Sequence, residues 1–469
     1  MSDTYYRALA SRDPRFDGVF FVGVTTTGIY CRPVCTARLA HRTRCVFFGT
    51  RAEAEAGGFR ACFRCRPELA PGNASIDAVP RLVDQAVRRI EQGALNEASV
   101  DELAGELGVT GRHLRRAMAD ELGMSPVALA QTMRLQFAKR LLQDSALPFA
   151  DLAFAAGFQS VRRFNAAFRA HFGRAPSSLR RERGAGREVV LRLDYRPPLA
   201  WDALLAFLGG RAIPGVERVE RGTYARTVEL DGKRGWVSVT QEPGRERLLA
   251  TVSGSLLGTL MPLVAKLRSL FDLDAHPAQV DAVLRRHSAL KARVRRNPGL
   301  RVPGAFDGFE TAVRAVLGQQ ISVKGATTLA GRVVQRFGRP LENGPSGLTH
   351  VFPGAASLAK ATVDDVAKLG MPGARASALI RLAAAIADGL TLARGVPVEP
   401  TLEKLKALPG IGEWTAQYLA MRALSWPDAF PASDLGVLKA LKARNARESS
   451  ERAEAFRPWR AYATLHLWS

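Results

Sequence analysis

All five cysteines of the 469-residue chain lie in its first 65 positions: Cys31, Cys35, Cys45, Cys62 and Cys65. Four of them form a C-x3-C pair and a C-x2-C pair with 26 residues between. A short pair grips one ion from a turn, and two pairs close a tetrahedral all-thiolate site, so Cys31, Cys35, Cys62 and Cys65 are expected to bind Zn2+. The segment is too small to build a large core, so the metal would supply much of its folding energy. Cys45 is expected to be a spare buried thiol. A cytosolic chain with this pattern is metallated rather than disulfide-bonded.

The second group of residues with chemistry in it lies near the other end. Leu408-Pro-Gly-Ile-Gly-Glu-Trp-Thr-Ala-Gln-Tyr-Leu419 places Gly410 and Gly412 in a tight turn between two helices. Such a turn exposes backbone N–H groups at a helix start, which hold a phosphate without reading sequence. This is a helix-hairpin-helix element, and it marks DNA binding rather than catalysis. Phe430-Pro-Ala-Ser-Asp434 follows, with Asp434 twenty residues after Trp414. A carboxylate beside a helix start can simply cap it, and capping does not exclude catalysis.

These residues need scaffolds. Ser99-Val-Asp-Glu102 is a capping box ahead of an apolar helical stripe. The run to Met118 has helix-turn-helix grammar, with Gly108 at the turn and Val109 and Leu114 facing inward. A second copy begins after Pro148, at Phe149, and continues through Gly157 and Phe158-Gln-Ser-Val-Arg-Arg-Phe-Asn-Ala-Ala-Phe168. Arg112, Arg115 and Arg116 lie on the first recognition helix, and Arg162, Arg163 and Asn165 on the second. Arg and Asn read guanine and adenine edges in the major groove. A charged, glycine-containing stretch at 180–187 marks a boundary near 185. Alternating strands are expected at Val189–Tyr195, Tyr224–Leu230, Gly235–Thr240 and Leu248–Ser253. Helices at Trp201–Leu208 and Leu256–Phe271 accompany them, with helical pattern from about 272 onward. The fold class is therefore multidomain and mainly α. It comprises a small zinc-bound α+β module (1–75), an all-α double helix-turn-helix domain (76–184), a small α+β domain (188–271) and an all-α helix-hairpin-helix domain (272–469).

Composition agrees. Apolar residues are 47% and charged residues 24%, ordinary globular values. No apolar run approaches the roughly 18 residues of a spanning helix, so no membrane partner is expected. Net charge is +23, with +9 on residues 1–183 and +14 on the rest. Several basic surfaces rather than one basic tail point to phosphate polyanions.

Three stretches resemble known families. Thr27-Gly-Ile-Tyr-Cys31-Arg-Pro-Val-Cys35 and Phe59-Arg-Ala-Cys62-Phe-Arg-Cys65-Arg-Pro67 resemble the metal-binding domain of the Ada family. The resemblance implies that Cys31 accepts a methyl group from a DNA methylphosphotriester. Zinc keeps a thiolate ionised at neutral pH, so a ligand can double as a nucleophile. Arg32, Arg60, Arg64 and Arg66 are expected to hold phosphates near it. A purely structural zinc module is the alternative. The paired helix-turn-helix motifs resemble the AraC-type DNA-binding domain.

Residues 189–469 resemble the AlkA-type 3-methyladenine DNA glycosylase II of the helix-hairpin-helix superfamily. The match runs through Arg301-Val-Pro-Gly304, Val316-Leu-Gly-Gln-Gln-Ile-Ser-Val323 and Pro458-Trp-Arg-Ala-Tyr-Ala-Thr-Leu-His-Leu-Trp468. It implies that Asp434 stabilises an oxocarbenium-like sugar while Phe207, Trp414, Tyr418 and Trp468 receive the extruded base. Trp414 stands where glycosylase-lyases carry a Schiff-base Lys, so a monofunctional hydrolase needing no cofactor is expected.

Two positions depart from the pattern. Gln320 replaces the Leu wedge of the best-known enzyme, and Leu435 replaces a pocket aromatic. A Pro-Cys-His-Arg alkyl-transfer site is absent. The implied partners are alkylated and promoter double-stranded DNA and RNA polymerase, for a monomer in the bacterial cytoplasm at the nucleoid. Two rivals stay open: a regulator whose glycosylase half only binds DNA, and a repair enzyme whose front half only tethers it.

Overall fold

The computed structural model describes residues 2–71, 81–145, 147–179 and 189–469. The expected boundaries near 75 and 185 fall outside or at the edge of the described residues. By contacts the chain divides into two compact units, Met1–Pro197 with Glu242–Ala265, and Pro198–Gln241 with Lys266–Ser469.

In the first unit a four-stranded sheet carries the cysteines. Its order is Cys45–Phe48, Phe21–Val24, Ile29–Cys31, Arg60–Ala61, antiparallel except for the last, parallel pair. Tyr5 stacks on Phe20 at 4.3 Å between ring centroids, and Phe47 closes edge-on at 5.6 Å. Among the described residues, Phe20 is buried here together with Ala8, Leu9, Val22 and the cysteines Cys31, Cys35, Cys45 and Cys62, a small core.

The double helix-turn-helix follows. Its first pair is Val100–Glu106 and Gly111–Leu122, its second Phe149–Ala155 and Val161–Phe172. The capping box forms as read, with Ser99 Oγ accepting from Glu102 N and Glu102 reaching back to Ser99 N. Thr110 and Ser160 cap the two second helices. Gly108 and Gly157 make the turns at φ +74° and +83°, where a Cβ would be strained. Leu114 is buried, whereas Val109 is only half-buried. Phe164, Phe168 and Phe172 form a buried i, i+4 row.

Pro126–Asp144 is buried nearly all round, including Gln136, Lys139, Arg140 and Asp144. Buried polar groups require partners, and each has one. Lys139 Nζ donates to Glu68 at 2.9 Å and Cys62 O at 3.1 Å, and Gln136 donates to Tyr30 Oη at 3.1 Å. Arg140 donates to Arg192 O. Arg192 lies in Val189–Asp194, which pairs antiparallel with Arg247–Val252.

The second unit opens with helix Trp201–Gly209 and an antiparallel meander of Glu217–Glu220, Thr223–Leu230 and Lys233–Gln241. Glu217–Glu220 is a strand the sequence pattern does not reveal. The remainder is helical apart from a short pairing of Arg339–Pro340 with His350–Val351, which interrupts the all-helical expectation. Expected helix Leu256–Phe271 is a 3-10 turn, Gly254–Thr259, followed by Leu260–Leu270.

An ion cluster lies in the interior of this unit. Arg226 pairs with Glu310 at 2.6 Å, Arg314 bridges Glu310 and Glu217, and Tyr224 Oη donates to Glu217 at 2.6 Å. Burial alone would raise the Glu310 carboxyl, but Arg226 and Arg314 outweigh it and hold it down at about 2. No helix of the described residues is long and apolar enough to cross a membrane.

Candidate functional site

The four expected ligands converge. The sulfur atoms of Cys31, Cys35, Cys62 and Cys65 all lie within 4.8 Å of one another. Cys31 ends a strand, Cys35 follows a turn, and Cys62 and Cys65 sit just after the short parallel strand Arg60–Ala61. Four sulfurs this close cannot all carry charge unaided. The hydrogen bond from Cys31 takes Cys35 down to about 7, while burial pushes Cys65 up. A divalent cation would resolve that conflict, and an all-thiolate donor set of this size suits Zn2+. Cys65 Sγ accepts the backbone N–H of Arg32 at 3.4 Å. Cys45 is a buried free thiol against the carbonyls of Ala40 and His41, and burial raises its pKa.

The motif arginines correct the sequence reading. Arg32 is buried, and its guanidinium pairs with Asp17 and, at 2.7 Å, with Asp194. Arg66 makes a bidentate pair with Asp144 at 2.7 and 2.9 Å, and Asp144 also receives Arg192. Both arginines brace the cysteine module and are not free to hold phosphate. Arg60 and Arg64 are exposed, Arg60 donating to Phe172 O at 3.4 Å. The Asp194 partner of Arg32 and the Asp144 partner of Arg66, 162 and 78 positions away, had no local signal.

On the helix-turn-helix motifs, Arg112, Arg115, Arg116, Arg162 and Arg163 are exposed and Asn165 is half-buried. Arg115 leans on Asp101 at 3.3 Å and Arg116 on Asp120 at 3.7 Å. Exposed pairs of this kind are worth about 0–1 kcal/mol, so a phosphate or base can displace them.

The second unit contains a cleft of about 1530 Å³ lined by Gln320, Gly412, Trp414, Tyr418, Asp434, Leu435 and Trp468, among others. Trp414 and Tyr418 are one turn apart on helix Glu413–Arg422, so their rings stack at 5.3 Å and 14°. Asp434 is the N-cap of Leu435–Leu441, accepting Val437 N on Oδ1 at 3.0 Å. The capping role and the cleft position coexist. Trp414 Nε1 donates to Asp434 Oδ2 at 3.0 Å, and Trp468 Nε1 donates to Oδ1 at 2.8 Å. The carboxylate is therefore fixed by two neutral donors, with no cation paired to it among the described residues.

The hairpin turn stands beside this cleft. Gly410 has φ +94°, and a Cβ there would lie 2.6 Å from Ala378 Cβ. Gly412, the N-cap of Glu413–Arg422, faces open space. Gln320 is exposed at φ +56° between the helices Gly308–Leu317 and Val323–Phe337. Its neighbour Gln319 ties that loop to the hairpin, donating to Gly410 O and Thr415 Oγ1, both at 3.0 Å. Phe207 stands behind the wall, parallel to Trp468 at 6.4 Å.

Sequence reasoning missed the cations around these rings. The Arg211 guanidinium lies 3.8 Å from the Phe207 centroid, and Arg422 lies 5.0 Å from it while donating to Tyr418 Oη at 2.7 Å. Burial pushes Arg211 below its usual pKa. The signal was present: Arg211 and Arg422 stand four residues after Phe207 and Tyr418. Arg293 was also missed. It donates to the carbonyls of His466 at 3.1 Å and Leu467 at 3.4 Å, holding the end of the helix that carries Trp468.

His466, in that same helix, is buried, and neither ring nitrogen has a hydrogen-bond partner. Burial, helped by Arg293, lowers its pKa to about 4. Between this value and the ordinary 6.5 the unfolded chain binds the extra proton, so stability falls as pH drops through that window. A shift of this size corresponds to about 3 kcal/mol. Urea unfolding at pH 7 and pH 4 should show His466→Leu losing less stability than the unsubstituted protein. Equal losses would remove His466 as the source.

The family models match in chain order. The metal binding domain of Ada covers 4–68 and a helix-turn-helix domain 103–182. The AlkA N-terminal domain covers 190–307, and the HhH-GPD superfamily base excision DNA repair protein covers 313–459. A probable bifunctional transcriptional activator/DNA repair enzyme AlkA of Mycobacterium tuberculosis is 42% identical over 99% of this chain and 95% of that protein. DNA-3-methyladenine glycosylase 2 of Escherichia coli is 38% identical over 59% of this chain and 95% of its own length. Among solved structures, a 3-methyladenine DNA-glycosylase from Archaeoglobus fulgidus superposes with TM-score 0.51 at 25% identity, covering 59% of this chain and 96% of that one. The full-length likeness, the four matched modules in one order and the converged cysteine and aspartate sites place the chain in the family of bifunctional Ada- and AlkA-type transcriptional activator/DNA repair proteins.

Proposed function

We propose that the second unit hydrolyses the N-glycosidic bond of alkylated bases, of the 3-methyladenine class, in duplex DNA. The observation that carries this reading is Asp434, an unpaired carboxylate aimed by two indole N–H donors in a cleft beside a phosphate-binding hairpin. Helix-start N–H groups at Gly410–Gly412 hold the backbone while the damaged nucleotide leaves the stack. The cationic base stacks against Trp414 and Tyr418. Its bond to C1′ breaks with the electron pair going to the base, which leaves neutral. The Asp434 carboxylate stabilises the positive sugar until water adds to C1′ and gives up a proton. Trp414 offers no amine for a Schiff base, so the product is an abasic site. Gln320 fills the gap left in the duplex. The test is chromatography of bases released from methylated DNA by the protein and by Asp434→Asn.

For the first unit, we propose that Cys31 accepts a methyl group from a methylphosphotriester. Bound by Cys31, Cys35, Cys62 and Cys65, Zn2+ would keep the thiolates ionised. Cys31 is the candidate nucleophile because it is the first cysteine of the motif that matches the metal binding domain of Ada. Its sulfur attacks the methyl carbon, the C–O bond breaks, and a phosphodiester anion departs. One ligand charge is lost, which weakens repulsion from DNA. Arg112, Arg115, Arg116, Arg162, Arg163 and Asn165 then read promoter DNA, and the protein recruits RNA polymerase as a cytoplasmic, nucleoid-associated monomer. The domain limits 1–75, 76–184, 188–271 and 272–469 belong to the same proposal.

A further inference from the structure

Between Asp281 and Asp307 the chain has no acidic residue but carries seven Lys and Arg. They lie on and around the helices Pro277–Leu284 and Ser288–Arg296. Arg301 is buried, Arg293 caps the C-terminal helix, and Arg285 is 3.9 Å from Asp281. The other four, Arg286, Lys291, Arg295 and Arg296, are exposed. Among the described residues, their side chains form no ion pair or hydrogen bond.

The contrast with helix Ala446–Ala453 in the same unit is sharp. There Arg444, Arg447 and Arg452 each meet a Glu at 2.7–3.1 Å. None of the four exposed cations of 286–296 has such a partner among the described residues. Lys291 and Arg295 share a helix face by their i, i+4 spacing. Leu290 and Val294, about 100° round the same helix, are in the core. The same helix supplies Arg293, which lines the cleft together with Trp468 and Asp434. The helix that carries Lys291, Arg295 and Arg296 therefore borders the cleft of the proposed reaction centre.

We propose that Arg286, Lys291, Arg295 and Arg296 form a second DNA-backbone contact, additional to the hairpin, gripping phosphates that flank the extruded nucleotide. This rests on the glycosylase reading of the cleft and adds where the flanking duplex is held. Phosphate contacts of this kind position the duplex without reading its sequence. Each one lost should lower the slope of log K against log salt by about 0.9.

The test compares the full chain with R286Q/K291Q/R295Q/R296Q, after thermal melting shows that both are folded. Fluorescence anisotropy on an undamaged duplex, titrated with salt, should give a slope shallower by about 2–4 in the variant. The kcat/KM for base release from methylated duplex should fall about 10-fold or more at moderate salt, with the single-turnover rate at saturating enzyme changed less than about 2-fold. A control, R444Q/R447Q, removes neutralised cations and should leave the slope near that of the unsubstituted protein. An unchanged slope in the quadruple variant, or an equal drop in the control, overturns the proposal. A protein that releases no base yet still shows the slope difference would overturn the glycosylase reading and leave the basic surface standing as a DNA contact.

Discussion

Asp434→Asn is expected to slow base release by about 10²–10³-fold, the range for losing one preorganised electrostatic group. Substitution alone confounds two effects, and the geometry separates them. Asn caps a helix as well as Asp does, so the Val437 N–H bond can persist. Its amide oxygen would take the Oδ1 position, which also serves Trp468. The NH2 group then faces Trp414 Nε1–H, donor against donor, and pushes that ring out of place. A Trp414→Phe change removes the opposing donor and keeps an aromatic face. If the negative charge is what matters, Asp434→Asn/Trp414→Phe stays as slow as Asp434→Asn, while Trp414→Phe alone keeps most of its rate. Recovery in the double variant would mean that the defect was steric, and the electrostatic role of Asp434 would be lost. Single-turnover release of base from methylated DNA is the measurement.

The other large effect concerns metal. The core beside the cysteines contains Ala8, Leu9, Phe20 and Val22 and little else apart from the cysteines. A cluster this size supplies little stability by itself. Structural zinc contributes on the order of 10 kcal/mol in modules that cannot otherwise fold. A strong chelator should therefore melt the four-stranded sheet and raise the reactivity of the cysteines, while base release persists. Cys35→Ser should mimic chelation. Cys31→Ser removes both a ligand and the proposed methyl acceptor, so it is informative only beside Cys35→Ser. Peptide mass spectrometry after incubation with methylphosphotriester DNA should find the added methyl on Cys31. A methyl on another cysteine, or on none, would refute the assignment. Zinc content by atomic absorption before and after chelation completes the comparison.

The features legible from the chain were those whose signal is local. The cysteine spacing, the Ser99–Glu102 capping box and the Gly410–Gly412 turn are each written in a few adjacent residues, and each forms as read. Asp434 was legible as both a cap and a candidate catalytic carboxylate, and it forms the cap while lining the cleft. What stayed hidden depends on distant partners. Arg32 and Arg66 looked like free phosphate ligands because nothing nearby names Asp194 or Asp144. Strand Glu217–Glu220 has a buried Glu217 where alternation expects an apolar residue, so the pattern could not reveal it; it is held by pairing with Thr223–Leu230. Arg293 matters only because the chain returns 173 positions later to place His466 O beside it.

Arg32 and Asp144 are buried, and both take part of their pairing from the strand Val189–Asp194, through Asp194 and Arg192. That strand belongs to the portion matched by the AlkA N-terminal domain, whereas its two clients belong to the cysteine module and the long helix. A protease nick anywhere between residues 179 and 189 would therefore cut the peptide without releasing the pieces. Half-stripped buried charges cost about 3–5 kcal/mol each, which opposes parting. The nicked protein should run as one species in gel filtration and as two only in denaturant. Inheritance as a single gene is thus matched by a mechanical bond that a flexible tether would not provide.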